Sequence, residues 1–301
     1  MQRTLLCRTL PPVKNRRGLR MATIDLEAEY NNRARVPEHP AILAQMDIDA
    51  AAYRAACPQA EIGMKYGPSA RQVIDLFPGN AGSGKAPLAL FIHGGYWRTN
   101  HWSSYSHMAK HLNARGIDVA VAGYDLCPQV TITAIIDQMR AACLFLWRRR
   151  RQRLMVYGHS AGGHLAACMV ATDWTKIEND APADLVPCGY AISGLYDLTP
   201  MLKVSMNLDL RLSAEEAKSV SPLFWTLPPG RILDAVVGGA ESSEFIRQSR
   251  IIADGWKGKA QTRFGEIAGA NHFTVVAPLS DPNSPMVARL VELAKSVPQN
   301  Q

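Results

Sequence analysis

One short segment limits the folds open to this chain more than any other. Gly158-His159-Ser160-Ala161-Gly162 has the form G-x-S-x-G. Arg153 to Tyr157 before it reads as a buried strand, and the small-residue run Gly163 to Val170 after it reads as a helix. A serine at a sharp turn from strand to helix is held clear of the backbone, and the flanking glycines let the helix pack close to the strand. The N-terminal turn of that helix also points amide N–H groups at whatever the serine attacks. The segment therefore predicts a reactive serine on a strand–turn–helix unit within an α/β sheet.

The rest of the chain supplies such a sheet. Strands are expected at 72–77, 86–93, 118–122, 189–192, 232–237 and 262–267. Helices are expected at 25–35, 47–56, 105–115, 132–150, 243–255 and 285–296. Alternating strands and helices imply an α/β fold with a mainly parallel central sheet and helices on both faces. Residues 23–298 read as a single domain, in which 197–230 break the alternation and are expected to form a small cap-like segment. Residues 1–22 read as a disordered basic tail.

That tail accounts for the charge. The formal net charge is +7, and Arg3, Arg8, Lys14, Arg16, Arg17 and Arg20 carry most of it, leaving the remainder close to neutral. A second basic run, Arg148 to Arg151, ends a helix, where cations offset the helix dipole. Neither run has the aromatic or groove-reading residues of a nucleic-acid site, so no nucleic-acid partner is expected. No stretch has the length of a membrane span, and Arg16-Arg17 is not followed by an apolar run, so no membrane association is expected. The six cysteines lack C-x-x-C spacing and suit buried thiols in a reducing, cytoplasmic compartment.

A serine hydroxyl needs a base to take its proton. On this kind of sheet the partners follow in chain order, acid and then histidine. His272 is the one histidine beyond His164, and it lies just past the last expected strand. It is read as the general base and acid. Glu241, in the loop after strand 232–237, is read as the orienting acid. Glu244 is the reserve, and Asp234 stands too early in the strand. Donors to a developing oxyanion are expected from Ala161 and from Gly94 and Gly95 in His93-Gly94-Gly95-Tyr96-Trp97. His93 itself reads as structural. Tyr96 and Trp97 are candidates to line a substrate pocket, with plain packing as the alternative.

Two further patterns are decoys. Gly79 to Lys85 resembles a phosphate-binding loop, but Ala86 stands where a metal-binding Ser or Thr is required, and Pro87 opens a strand. His107 and His111 have helical i, i+4 spacing without the intervening glutamate of a zinc hydrolase. No metal and no cofactor are expected.

These motifs together resemble the serine-dependent kynurenine formamidase (arylformamidase) group of the α/β-hydrolase superfamily. The resemblance rests on His93 to Trp97, Gly158 to His164, Glu241 to Ser249 and Asn271-His272-Phe273. Glu29 to Arg33, Tyr66-Gly67, Tyr124 to Pro128 and Ser193 to Leu198 add to it, so it spans about residues 25–285. It implies the α/β-hydrolase fold, with Ser160 as nucleophile, Glu241 at the acid position, His272 as base, and an oxyanion hole at Gly94, Gly95 and Ala161. It also implies a small aryl formamide such as N-formylkynurenine as substrate. The group carries Asp at the acid position, where this chain has Glu241. Relatives with these motifs include esterases and amidases, so a carboxylesterase or amidase of the same mechanism is the alternative. A small-molecule substrate is expected, and a homodimer is compatible with the sequence.

Overall fold

The computed structural model describes residues 24–79 and 85–298. The expected tail at 1–22 lies outside the described residues, as does most of the Gly79–Lys85 turn.

Eight strands form one sheet: β1 (Glu61–Lys65), β2 (Val73–Phe77), β3 (Leu88–Ile92), β4 (Asp118–Ala122), β5 (Leu154–His159), β6 (Cys188–Ile192), β7 (Ile232–Gly238) and β8 (Gln261–Ile267). Their order is β1-β2-β4-β3-β5-β6-β7-β8. The β1–β2 and β2–β4 pairs are antiparallel and all others are parallel. Strands β2 to β6 are buried along their whole length, as expected of a sheet covered on both faces.

Alternation along β3 shows how the faces divide. Leu88, Leu90 and Ile92 join a core with helices α5 (Ile132–Arg150), α6 (Ala161–Ala171) and α9 (Ser243–Trp256). Ala89 and Phe91 face the opposite core, with α4 (Lys110–Asn113), α10 (Pro285–Ser296) and one side of α3 (His39–Ala56). Successive side chains of a strand point to opposite faces, so one five-residue strand anchors both layers. Every residue of α6 is buried, which its run of Ala and Gly permits by keeping the helix slim against β5 and β6.

Three differences from the expected elements have local causes. The edge strand β1 carries no clear alternation, is mostly exposed and contains a register break between Glu61 and Met64, so its sequence signal is weak. The helix expected at 25–35 is two short helices, α1 (Leu26–Tyr30) and α2 (Asn32–Arg35). Asn31 breaks it by accepting from the Ala34 N–H and starting a second helix, a role Asn fills well. The helix expected at 105–115 is instead a 3₁₀ helix over Trp102–Ala109 that leads into α4.

The segment 197–230 contains 3₁₀ turns and two short helices, α7 (Asn207–Leu210) and α8 (Ala214–Ser219). It is held close to the sheet layer: the His164 imidazole of α6 hydrogen bonds the Val220 carbonyl at 2.7 Å. No helix among the described residues is long and apolar enough to cross a membrane.

Candidate active site

Strand β5 ends at His159, and the chain turns at Ser160 with φ 57° and ψ −119°. This left-handed conformation costs a non-glycine residue about 1–3 kcal/mol and persists where the surrounding structure enforces it. Here the enforcement is close packing. A Cβ on Gly162 would lie 1.9 Å from the Ile92 carbonyl oxygen, and one on Gly158 would lie 2.4 Å from the Gly162 carbonyl oxygen. The two glycines let β3, β5 and α6 meet at the turn. The Ser160 N–H is fixed by the Ile192 carbonyl at 2.8 Å.

The Ser160 hydroxyl lies 3.0 Å from His272 Nε2, and His272 Nδ1 lies 2.6 Å from Glu241 Oε2. An ionised carboxylate only accepts, so Nδ1–H donates to Glu241 and Nε2 is left to accept from Ser160. The second carboxylate oxygen, Glu241 Oε1, accepts from the Gly238 N–H at 2.8 Å and from the Ser193 hydroxyl at 2.5 Å. All four side chains are buried. The His272 ring stands against the Phe245 ring at 4.5 Å, and its carbonyl accepts a 2.9 Å hydrogen bond from His159 Nε2. Burial, and next the neighbouring His272, hold the His159 imidazole well below its usual pKa, so it stays a neutral donor. Glu244 turns away, pairing with Arg247 at 2.7 Å and accepting from the Tyr30 hydroxyl at 2.7 Å. Asp234 is paired with Arg289.

Beside the serine runs the loop after β3. Gly94 passes so close that a Cβ there would meet Ser160 Cβ at 2.9 Å, and Gly95, with φ 113°, lines the same cavity as Ser160. Ala161 opens α6, where helix geometry leaves its N–H without an intrahelical acceptor. His93 lies beneath this loop. Its ring stacks on Tyr124 at 4.3 Å, its Nδ1 donates to the Gly94 carbonyl, and burial lowers its pKa to about 3.

The two aromatic candidates part company. Tyr96 lines the cavity, with its hydroxyl donating to the Tyr30 carbonyl at 2.7 Å and accepting from Asn32. Trp97 does not reach the cavity. It is 0 % exposed and packs edge-on against His164 in the core, so the expectation that it contacts substrate is corrected to packing. The backbone turns sharply here, with positive φ of 50° at Tyr96 and 56° at Trp97, and the Trp97 ring lies edge-on to Tyr96 on its core side. His107 and His111 also separate. His107 is buried, whereas His111 hydrogen bonds the Ser280 carbonyl, and no potential metal-binding cluster occurs among the described residues.

Ser160 and His272 open into a cavity of about 170 Å³. Leu43, Met46, Phe273 and Val276 form an apolar side. Its roof is α1 and α2, with Tyr30, Asn31 and Arg33 facing the space. The segment 197–230 contributes Ser205 and Met206.

Comparison with known proteins decides the family. The kynurenine formamidase of Drosophila melanogaster is 30% identical over 226 residues, covering 71% of this chain and 74% of that protein. The chain belongs to the kynurenine formamidase-like α/β-hydrolases. The kynurenine formamidase of Danio rerio is 26% identical over 243 residues, 78% of this chain and 82% of that one. The BD-FAE family model matches residues 74–218. Among solved structures, a candidate thioesterase from Silicibacter superposes with a TM-score of 0.78 at 30% identity, over 88% of this chain and 98% of that one. The protein is thus a hydrolase with the α/β-hydrolase fold.

Within that family frame, two groups of residues escaped sequence reasoning. Ser193 carried the pattern Ser-Gly-Leu-Tyr-Asp but no chemical signal that it would meet Glu241. The roof residues Tyr30 and Arg33 lay in a motif, Glu29-Tyr30-Asn31-Asn32-Arg33, with no chemistry attached. Only the tertiary fold brings that N-terminal segment over a serine about 130 positions later.

Proposed function

We propose that the protein is a serine hydrolase that cleaves a small aryl formamide such as N-formylkynurenine through an acyl-enzyme. The observation that carries this reading is the unbroken hydrogen-bonded line from Ser160 through His272 to Glu241, opening into the cavity. His272 takes the hydroxyl proton as Ser160 Oγ attacks the formyl carbon. Glu241 stabilises the resulting imidazolium and fixes its tautomer. The N–H groups of Ala161, Gly94 and Gly95 receive the oxyanion. His272 then protonates the departing aryl amine, and water, activated by the same imidazole, releases formate and regenerates Ser160.

The cavity supports the substrate class. Leu43, Met46 and Phe273 suit an aromatic ring. At the mouth, Arg33 has no ion-pair partner among the described residues, while Arg98 is paired with Asp209. An unpaired guanidinium suits a substrate carrying a carboxylate, which it can grip in bidentate fashion. Carboxylesterase or thioesterase action is the second reading, favoured by Glu in place of Asp at the acid position and by the Silicibacter relative. The test is kcat/KM on N-formylkynurenine, formanilide and p-nitrophenyl acetate. The formamidase reading expects N-formylkynurenine to be the best of the three. Ester turnover without formamide turnover overturns it. A cytoplasmic setting is also proposed, supported by five free cysteines among the described residues.

A further inference from the structure

We propose that Ser193 is a positioning residue that acts through Glu241, so that the working unit contains four hydrogen-bonded side chains rather than three. This rests on the serine-hydrolase reading above. Ser193 is fully buried at the end of β6 and has φ 50°, an unfavourable conformation for any residue with a Cβ. Its N–H is tied to the Val236 carbonyl at 2.7 Å, and its hydroxyl donates to Glu241 Oε1 at 2.5 Å. The residue before it, Ile192, accepts the Ser160 N–H at 2.8 Å. The last residue of β6 and the residue that follows it therefore register the nucleophile on one side and the acid on the other.

The length of glutamate gives this contact its purpose. A Glu side chain has one more rotatable bond than Asp, and a carboxylate free to swing presents its lone pairs to His272 only part of the time. Two donors on Oε1, the Ser193 hydroxyl and the Gly238 N–H, fix the carboxylate plane and leave Oε2 aimed at Nδ1. Hydrogen bonds to an ionised acceptor are among the stronger ones, and a small loss of alignment in the acid–base pair is costly to rate.

The test uses Ser193→Ala and Ser193→Gly, alone and combined with Glu241→Gln, with Ser160→Ala alongside. The two Ser193 variants have opposite effects on the backbone: Gly relieves the left-handed strain and Ala keeps it. Both remove the hydroxyl. We expect kcat on p-nitrophenyl acetate and N-formylkynurenine to fall about tenfold in both variants, with KM within about twofold of wild type. We expect the Gly variant to melt at or above the Ala variant. In the Glu241→Gln background, removing the hydroxyl should cost less than about twofold, because a residue acting through Glu241 has nothing left to act on. Wild-type kcat in both single variants overturns the proposal, and so does an equal loss in the Glu241→Gln background. Turnover that survives Ser160→Ala would bring down the serine reading, and Ser193's role with it. Loss in Ser160→Ala beside full activity in the Ser193 variants brings down the Ser193 role alone.

Discussion

The rim of the sheet and the roof above it are built on different principles. At the rim, Ser160, Ser193, Glu241 and His272 stand at or just beyond the ends of β5, β6, β7 and β8. Main-chain hydrogen bonds and tight glycine contacts place them. The roof of α1 and α2 has two short helices, and side chains hold it down. The Glu29 carboxylate accepts from the Ser243 hydroxyl and the Glu244 N–H. Glu27 accepts from the Ser205 N–H and hydroxyl, and the Tyr30 hydroxyl donates to Glu244. A site assembled on strand ends keeps its geometry when surface side chains change, whereas a roof held by carboxylates depends on each of them. The rim should therefore govern turnover and the roof should govern selection.

That division can be broken by experiment, beginning with the largest effect. Ser160→Ala should lower kcat by about 10⁶ with little change in melting temperature, and should abolish labelling by a fluorophosphonate. Folded wild type that resists the label would deny the rim its role. Glu241→Gln should lower kcat by about 10³–10⁴, since the amide neither stabilises the imidazolium nor fixes its tautomer. Glu241→Asp should fall between this and wild type, because the shorter side chain cannot reach both His272 and Ser193. Arg33→Met should raise KM about tenfold for N-formylkynurenine and leave p-nitrophenyl acetate unaffected. An equal effect on both substrates would mean that the roof shapes the rim and does not merely select.

The smallest effect concerns pH and the buried layer beneath the rim. Burial holds His93 near 3 and His164 near 4, both below the usual 6.5. The unfolded chain therefore binds protons that the folded core refuses. Their contribution to stability is complete above about pH 6.5 and is lost progressively as the pH falls toward those folded values. Thermal melts between pH 7 and 4 should show this decline, and His164→Asn should flatten it. An unchanged slope would count against burial as its cause.

The rim was legible because its residues answer to local rules. A nucleophile turn needs small residues at fixed offsets, the acid and base follow strands in a fixed order, and parallel strands read as apolar runs. The roof was not legible, because its placement depends on contacts between positions separated by about 200 residues, such as Glu29 with Ser243. Residues 197–230 break the helix–strand rhythm in the sequence, and the cavity takes Ser205 and Met206 from them. For Trp97 the sequence leaves pocket and packing as alternatives, and the backbone decides between them. Nothing in its neighbours' identities signalled the left-handed turn that sends its ring into the core beside His164.

The roof's attachment has an evolutionary consequence. Its residues form one contiguous stretch at the front of the described chain, pinned to the body by the buried Tyr30 side chain and by carboxylate contacts at the start of α9 and at Ser205. On the proposed division between rim and roof, exchanging residues 24–36 between relatives, with the partners of Tyr30 kept, should carry selectivity across while the Ser160–His272–Glu241 line stays in place. New specificities then arise by changing a short stretch that lines the cavity and takes no part in the Ser160–His272–Glu241 line.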